Sequence, residues 1–412
     1  MPQKLFHRDF TMVALGQLIS LFGNAILRFA LSLYVLDATG SAAVFGSVTA
    51  AAVVPAILLS PVGGILSDRV NRRNIMAGLD FFTAALVLGF GLALTEQNAV
   101  ALITAVLFLL SAIQACYTPS VHSSVPLLHT GENLVKANAV VSQVSMLANL
   151  IGPVLGGILY GFFGALPIIF VSGVCFLLSA VLELFIHIPF VPLEEKAGVL
   201  QIVKSDFLES VRFMAGEQPD ILRITLMIAV YSLFVVSAIT VGLPYMIRTV
   251  LGLSSRLYGI AEGLMAAAGI AGGLASGLLA NRLKTGRLYW LLVLSGAALI
   301  PVGWVFLLGR RPMTCYIVIT VSIMLLQLFV SLFSIYMLSA AQSRTPGHLL
   351  GKVTAYIMAL TMCAQPVGQA VYGLVFDRFA GSLYLPLTAT ALIAAAIGLS
   401  SRGLFSRLEE QG

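Results

Sequence analysis

Charged side chains are scarce in this chain. Of its 412 residues only 10% are Asp, Glu, Lys or Arg, whereas 59% are hydrophobic and the mean hydropathy is +1.00. A soluble domain carries roughly 25% charged residues, so this chain cannot cover itself with polar surface. Its apolar residues lie in separate stretches of about 20, the length at which a helix crosses a hydrocarbon core. The composition therefore excludes a soluble globular protein and predicts an all-α, multi-pass membrane protein.

Motifs for metal binding and catalysis are also lacking. The chain has no GxxxxGK[ST] loop, no HExxH motif, and no Ser/His or paired-acid set of the kind that an intramembrane enzyme needs. Its cysteines fall in or near apolar stretches without CxxC or Cys/His spacing. We therefore expect no metal, no cofactor, no ATPase and no enzymatic activity. His122 and His129 lie in the predicted loop after span four, so we expect them at the surface. The cysteines are Cys116, Cys175, Cys315 and Cys363.

Breaks at charges, glycine and proline divide the apolar sequence into twelve predicted membrane spans. The first six lie at roughly 10–36, 42–65, 74–94, 98–118, 138–161 and 165–188. The second six lie at roughly 221–246, 256–280, 287–308, 313–338, 353–376 and 383–401. An even number of spans places both termini on one side of the membrane.

Basic residues are distributed unevenly among the loops. Most of the 23 Lys and Arg lie at the termini or in the even-numbered loops, and short loops rich in Lys and Arg face the cytoplasm. We therefore expect a multi-pass protein of the cell (plasma or inner) membrane with both termini cytoplasmic. The net charge of +6 then reflects topology and not a nucleic-acid partner. The first apolar segment is too long for a cleaved signal peptide and is predicted to remain as span one.

The longest polar interval divides the chain into two halves. We predict an N-terminal six-helix bundle at 1–188, a cytoplasmic linker at 189–220 and a C-terminal six-helix bundle at 221–412. Apolar residues recur in the linker at helical spacing, which predicts a helix on the membrane interface. A plain connection between the halves is the alternative. The apolar positions are Leu200, Val203, Phe207, Val211 and Met214.

Two landmarks repeat between the halves at one offset. The segment "GILSDR", which contains Asp68, aligns with "GLLANR", where Asn281 takes the place of the acid. The same offset aligns Pro153 with Pro366. Such a repeat predicts two related bundles with a ligand site between them near the membrane midplane.

With these motifs the chain resembles the major facilitator superfamily of transporters over essentially its whole length. "GGILSDRVNRR" is similar to the superfamily's loop signature G-x-L-x-D-R-x-x-R-R, and "GPVLGG" resembles its antiporter signature. "YTPSVHSSVPLLHTGENLVKANAV" resembles the branch that contains macrolide and siderophore exporters, and "QSRTPGHLLGKVTA" is the counterpart expected before span eleven. The resemblance implies the major facilitator fold, with twelve transmembrane helices in two six-helix pseudo-symmetric bundles.

The resemblance also implies a conformational switch in the loop between spans two and three. In the superfamily the acid of this loop lies near the start of span eleven, whose free N–H groups attract a carboxylate. Asp68 would then cap the region near Thr354, while its arginines strengthen the contact and its glycine permits close helix approach. The alternative is a topology marker, although Arg alone would satisfy that role. The predicted switch residues are Gly64, Asp68, Arg69, Arg72 and Arg73.

Span five contains the segment that resembles the antiporter signature. Proline bends a membrane helix, and glycine allows a neighbouring helix to approach. The resemblance implies a bent, leak-tight helix typical of exporters that exchange for protons, and plain helix packing is the alternative. The motif residues are Gly152, Pro153, Gly156 and Gly157.

Polar residues at membrane depth are costly, so few positions are candidates for a transport cavity. In span one Gln17, Asn24 and Arg28 fall within about 40° of one helical face, and the resemblance implies that span one lines the cavity. Arg28 is expected to meet an acid or an anionic group of the substrate. Polar faces of spans ten and eleven either line the cavity or join neighbouring helices. The candidates there are Gln327, Ser331, Gln365 and Gln369.

Three acids within the spans are candidates for proton coupling. These are Asp80 in span three, Glu183 near the inner end of span six and Glu262 in the outer part of span eight. A coupling carboxyl must be buried enough to hold a proton and must respond when the cavity opens. A structural alternative stays open for each acid: pairing with the basic loop for Asp80, a buried pair for Glu262, and contact with the cytoplasmic interface for Glu183.

Sequence and resemblance together predict a secondary active transporter. We expect efflux of a small amphiphilic compound, drug-like or siderophore-like, by alternating access in exchange for protons. The cationic Arg28 favours neutral, zwitterionic or anionic cargo. The rival prediction is a facilitator-type carrier of lysolipid or an importer of a small solute. The expected partners are the small molecule, the proton as coupling ion and the lipid bilayer, and we expect a monomer.

Overall fold

A computed structural model describes residues 5–189, 208–279, 282–308, 311–347 and 349–410, apart from the side chains of Asp68 and Glu410. Over these residues the chain forms helices and no β-strand, which confirms the all-α class. The helices are α1 (Arg8–Thr39), α2 (Ala42–Arg69), α3 (Arg72–Ala93), α4 (Ala99–Leu128), α5 (Glu132–Phe163), α6 (Ala165–Leu184), α7 (Pro219–Val250), α8 (Ser255–Leu279), α9 (Tyr289–Leu307), α10 (Pro312–Ser343), α11 (Leu350–Arg378), α12 (Tyr384–Ser400) and the short α13 (Arg402–Glu410).

Membrane-spanning length and composition are common to most of these helices. Eleven helices in the described part of the chain are long and apolar enough to cross a membrane. The remaining predicted span, the eleventh at roughly 353–376, corresponds to α11, which is not among the eleven and which contains Gln365, Gln369 and Asp377. With 29 residues α11 still exceeds the hydrocarbon thickness, at about 1.5 Å per residue against a core of about 30 Å.

Glycines in the left-handed region form several turns between helices. Gly40 (φ 62°) precedes α2, and Gly252 (φ 61°) precedes α8. Gly131 (φ 59°) and Gly164 (φ 71°) flank α5. Only glycine takes up this conformation without steric cost, so a helix can end there and the chain can reverse within one or two residues.

Proline lies inside several helices without ending them. α4 continues through Pro119 and Pro126 to Leu128, so the predicted end of span four at 118 was too early. Packing against neighbouring helices compensates for the backbone hydrogen bond that an internal proline removes. α7 contains two π-helical segments, Ser232–Val236 and Tyr245–Val250, which widen the helix locally.

Most of the predicted linker helix lies outside the described residues. Residues 208–212 are helical, and a π-helical turn follows at Phe213–Glu217. Phe213 and Met214 are 4% and 0% exposed, and they pack with residues of α7, α10 and α11. The described end of the linker is therefore tied to the second-half helices through apolar contacts.

Two compact units make up the chain. Unit 1 comprises Met1–Ala38, Ala51–Val199 and Ser255–Gly263. Unit 2 comprises Thr39–Ala50, Leu200–Ser254 and Leu264–Gly412. The start of α2 thus belongs with second-half helices, and the start of α8 belongs with first-half helices. The division into two bundles about a linker at 189–220 stays a prediction.

One core of unit 1 joins α1, α3, α4 and α5. Phe10, Met76, Tyr117 and Val141 meet there, and none of them is more than 2% exposed. Lipid tails are as apolar as these side chains, so close packing between the helices, and not transfer out of water, holds this core together. Tyr117 brings a hydroxyl group into this apolar core, and that hydroxyl needs a polar partner.

Candidate functional site

A polar cavity of about 350 Å³ lies within unit 1, between α1, α4 and α5. The stripe predicted on span one, Gln17, Asn24 and Arg28, lines it. The three residues share this wall because steps of seven and four residues return to nearly the same helical face. Polar residues of α4 and α5 complete the wall: Gln114, Tyr117, Thr118, His122, Ser145 and Asn149.

Arg28 is the positive charge of this cavity. Its Nη2 donates a hydrogen bond to the Ser111 hydroxyl on α4. Among the described residues no carboxylate lies within 4.0 Å of the Arg28 guanidinium. The described part of the chain therefore does not contain the acid partner that was one of the two alternatives for this side chain.

The amide groups of the stripe are joined to α4 and α5. Asn24 Nδ2 donates to Gln114 Oε1 at 3.2 Å, and Gln114 Nε2 donates to Thr118 Oγ1 at 2.8 Å. Gln17 Nε2 donates to Ser145 Oγ at 3.4 Å. The amide oxygens, Gln17 Oε1 and Asn24 Oδ1, are buried and have no hydrogen-bond partner among the described residues. The wall therefore offers unused acceptors.

Two buried acids lie close together behind the cavity. Asp80 on α3 is 2% exposed and Glu183 on α6 is 0% exposed, and the two carboxyl groups interact electrostatically. Ser20 Oγ donates to Asp80 Oδ1 at 3.1 Å. The second oxygens, Asp80 Oδ2 and Glu183 Oε2, have no hydrogen-bond partner in the described part of the chain. Glu183 is thus a core residue of unit 1, and the alternative that it reaches the cytoplasmic interface was wrong.

Tyr117 connects the acids to the cavity. Its side chain lines the cavity wall, and its hydroxyl donates to Glu183 Oε1 at 2.7 Å. One tyrosine therefore lies between the polar cavity and Glu183 of the acid pair.

Glu262, the third predicted acid, lies at a different place in unit 1. Its Oε1 accepts a hydrogen bond from the Tyr258 hydroxyl at 3.1 Å, one turn earlier on α8. Tyr258 stacks on Phe29 of α1, with ring centroids 4.8 Å apart. Glu262 thus belongs to the contact between α8 and α1 and not to the pair formed by Asp80 and Glu183.

The predicted antiporter motif makes close helix contacts. A Cβ at Gly152 would lie 2.6 Å from Ala25 Cβ, and one at Gly156 would lie 3.0 Å from the Phe29 ring, both on α1. A Cβ at Gly157 would lie 2.6 Å from the Ser255 carbonyl oxygen on α8. These glycines allow α5 to pack at backbone distance against two helices of unit 1.

In unit 2 the start of α2 packs against the end of α11 in a comparable way. A Cβ at Gly373 would lie 2.6 Å from the Ala42 carbonyl oxygen. Asp377 then caps the first turn of α2. Its Oδ1 accepts from Ala42 N at 2.7 Å, and its Oδ2 accepts from Ser41 Oγ at 2.6 Å and from Ala43 N at 3.0 Å. A carboxylate at a helix N-terminus is favourable because free N–H groups and the helix dipole both attract it.

The basic loop between α2 and α3 makes several contacts within unit 1. Arg72 Nε donates to Ser123 Oγ on α4 at 2.8 Å, and Arg73 Nη2 donates to the Leu184 carbonyl at the end of α6. The side chain of Asp68 lies outside what the structure describes. A Cβ at Gly63 would clash with the Ala115 carbonyl on α4, so Gly63 allows close packing within unit 1, whereas a Cβ at Gly64 meets nothing within 4 Å among the described residues. The switch role of Gly64 stays a prediction.

Comparison with known proteins identifies the family. The sequence model of the Major Facilitator Superfamily matches residues 13–369. The chain belongs to this superfamily. Macrolide efflux protein A of Streptococcus pyogenes is 24% identical over 387 residues, which is 93% of each protein. The multidrug efflux pump Tap of Mycobacterium bovis (strain BCG / Pasteur 1173P2) is 25% identical over 174 residues, 41% of this chain and 42% of that protein.

Among solved structures, the chain is similar to a bacterial homologue of the iron transporter ferroportin in the inward-facing state. The TM-score is 0.72 at 20% identity, over 96% of this chain and 98% of that chain. At this identity the likeness concerns the fold alone. Membership of the superfamily and the many helices of membrane-spanning length identify this chain as a multi-pass membrane transporter.

The superfamily's loop acid supplies the first testable prediction. Asp68→Asn is expected to leave the protein in the membrane and to lower transport roughly tenfold, because a clasp of about 1–2 kcal/mol shifts a two-state equilibrium by that factor. Membrane abundance and initial transport rates measure the two effects. Glu96→Gln, in the exposed loop between α3 and α4, removes the same charge as a control. Wild-type rates in Asp68→Asn would remove the clasp from consideration.

The second-half cavity candidates lie mostly at helix contacts. Ser331 Oγ donates to the Gly269 carbonyl on α8 at 2.8 Å, and a Cβ at Gly269 would lie 3.3 Å from Gln327 Nε2. The carbonyl of Gln365 accepts from Ser237 Oγ at 3.2 Å. Gln369 is 3% exposed and lies at the contact between α2 and α11. A cavity of about 270 Å³ in unit 2 is lined instead by apolar residues together with Thr225, Ser334 and Thr361.

Sequence reasoning missed several contributors to these sites. Tyr117 and Asp377 carry no local signal, because their partners are distant in sequence. The expectation for His129 was wrong: it is 1% exposed and packs edge-on against His7 and Phe10. Burial and the neighbouring His7 lower the pKa of His129. His122 is exposed as expected but lines the cavity.

Proposed function

We propose that this transporter exports a small amphiphilic compound, drug-like or siderophore-like, by alternating access in exchange for protons. The names of two relatives, macrolide efflux protein A and multidrug efflux pump Tap, support efflux. The polar cavity beside α1 supports binding of a small molecule, since its volume lies in the range of about 300–1,000 Å³ that ligand sites occupy.

The observation that carries the coupling proposal is the hydrogen bond from Tyr117 to Glu183. Two carboxylates that share a buried site cannot both be charged without strong repulsion, so at least one of the two holds a proton. Tyr117 touches the pair on one side and the cavity on the other. Cargo that displaces the Tyr117 hydroxyl removes a hydrogen bond from Glu183 and changes how firmly the pair holds its proton.

The remaining parts of the proposal concern topology and gating. The distribution of basic residues supports cytoplasmic termini in the cell membrane, and the protein acts as a monomer. The close contacts of α5 with α8, and of α2 with α11, are the packed surfaces that alternating access must open and close. Asp68, at the cytoplasmic loop between α2 and α3, acts as the clasp that the superfamily's loop signature implies.

A facilitator-type carrier of lysolipid is the second candidate. A separate groove of about 550 Å³ in unit 1, between α1, α5 and α6, supports it because its lining is almost wholly apolar and suits an acyl chain. Phe22, Phe163 and Val171 are among its lining residues. A lysolipid facilitator would move its cargo down a gradient without proton exchange.

Proton flux separates the two candidates. Purified protein reconstituted into proteoliposomes that contain a pH-sensitive dye is supplied with a macrolide, a hydroxamate siderophore or lysophosphatidylcholine. The exporter proposal expects proton movement on addition of a macrolide or a siderophore, because each cargo molecule exchanges for protons. Transport of any of these compounds with no accompanying proton movement would contradict coupling. Movement of lysophosphatidylcholine alone would favour the facilitator.

A further inference from the structure

The wall of the cavity beside α1 carries a positive charge and, among the described residues, no negative one. Arg28 is its only charged lining residue within the described part of the chain. The acids of this region, Asp80 and Glu183, are buried behind Tyr117 and do not line the wall. A charged ligand therefore meets the guanidinium first, and the interaction is strong where water is excluded. The wall favours a negative group over a positive one.

Arg28 has donors available for such a group. A guanidinium carries five N–H groups, and the bond to the Ser111 hydroxyl uses one of them. Taking a cation out of water without a partner is unfavourable. A carboxylate, phosphate or sulfonate that accepts two N–H groups at once supplies the partner with good geometry.

The residues of the same wall also carry acceptors that the described part of the chain leaves unsatisfied. Gln17 Oε1 and Asn24 Oδ1 are buried acceptors without a hydrogen-bond partner among the described residues, and both residues line the cavity. Buried acceptors are normally satisfied, and leaving one unpaired is costly. Asn24 lies one turn from Arg28, about 6 Å along the helix axis, and Gln17 lies about 16 Å away.

We propose that the cargo is an amphiphile that carries an anionic group, bound by Arg28, and a nearby N–H or O–H donor, bound by Asn24, whose side chain lies on the same helical face as Arg28. The inference rests on the proposed function as a transporter of a small molecule, and it names the chemistry of that cargo. A purely cationic compound finds no counter-charge on this wall and is repelled by Arg28.

A matched set of fluorescent probes tests the proposal. Dansylglycine has a carboxylate and a sulfonamide N–H, dansylglycinamide is its neutral analogue, and dansylethylenediamine is its cationic analogue. Dansylsarcosine keeps the carboxylate and lacks the N–H. Binding of each probe to the purified full-length protein is followed by dansyl fluorescence. Dansylglycine is expected to bind about tenfold more tightly than each of the other three, since a charge-assisted or otherwise unsatisfied hydrogen bond corresponds to such a factor.

Three variants assign the effects to residues. Arg28→Gln is expected to remove the advantage of dansylglycine over dansylglycinamide, and Arg28→Lys is expected to keep part of it because an ammonium binds a carboxylate without the fork geometry. Asn24→Leu is expected to remove the advantage of dansylglycine over dansylsarcosine. Arg256→Gln, at an exposed position that does not line the cavity, is the charge-matched control. Thermal unfolding of each variant checks that it is folded.

The outcomes separate this inference from the proposed function. A charge preference that survives in folded Arg28→Gln overturns the assignment to Arg28, as does tightest binding of the cationic probe or no binding of dansylglycine to the wild type. Equal transport of all four probes with proton movement would leave the exporter standing and refute the cargo class. Binding that depends on Arg28 without proton movement would support the site and refute the coupling.

Discussion

Glu183→Gln is expected to abolish accumulation of cargo driven by a pH gradient while leaving cargo exchange intact. Glutamine accepts the hydrogen bond from Tyr117 but cannot bind and release a proton, so the coupling step is lost. Glu183 does not line the cavity, so binding of cargo remains. In proteoliposomes we expect accumulation to fall at least about tenfold, a change of about 1.4 kcal/mol or more in the driving step, with counterflow close to wild type.

Variants of the residues around Glu183 show which of them proton coupling needs. Asp80→Asn removes one of the two acids and is expected to lose accumulation as Glu183→Gln does, because the remaining acid no longer has a neighbouring carboxylate that favours its protonated form. Tyr117→Phe removes the 2.7 Å hydrogen bond and keeps the acids, so we expect proton movement that no longer responds to cargo. Glu96→Gln, in an exposed loop, is the control. Full accumulation in Glu183→Gln would show that the pair carries no coupling proton.

Asp377→Ala is expected to lower both the thermal stability and the transport rate. The substitution leaves the N–H groups of Ala42 and Ala43 without their 2.7 and 3.0 Å acceptors. A fully buried donor left unpaired costs about 1–3 kcal/mol, and these two donors are partly buried, so we expect a loss towards the lower end of that range for each. Ser41 Oγ still accepts from Val44 N at 3.2 Å, so the first turn of α2 keeps one cap and the helix remains.

Transport depends on the same contact under the proposed alternating access. Ser41 and Asp377 belong to different halves of the sequence, so the bond between them has to open and close in each cycle. Asp377→Asn keeps one oxygen acceptor and is expected to fall between alanine and wild type. Asp220→Asn, which removes an ion pair with the half-exposed Arg223, is the control and is expected to change stability by less than about 1 kcal/mol. An unchanged melting temperature and rate in Asp377→Ala would refute the role of the cap.

The α1 stripe was predictable because its signal is local. Gln17, Asn24 and Arg28 are polar in an apolar helix, and helical periodicity alone places them on one face. The cavity they line also needs Gln114 and Tyr117 from α4 and Ser145 from α5. Their approach to α1 depends on how three helices pack, which no single helix encodes.

The three acids show the same division. Sequence identified Asp80, Glu183 and Glu262 as candidates because charge at membrane depth is rare. Sequence alone did not show that Asp80 and Glu183 lie together or that Glu262 lies elsewhere, because α3, α6 and α8 are far apart along the chain. Ser20 and Tyr117, which bond the paired acids, are ordinary polar residues with no distinguishing local pattern.

Amino-acid sequence is enough to identify an all-helical, multi-pass membrane protein of the major facilitator superfamily. Hydrophobic run length and the motifs around Asp68 and Pro153 are local properties, so they can be read without knowing how the helices pack. The contact of Tyr117 with both the cavity and Glu183, and the close contact of Gly63 with α4, are visible only in the folded protein. The same is true of the cap that Asp377 forms on α2. Each of these depends on groups that come together only when distant helices pack, because helix packing is set by side-chain shape across the whole interface.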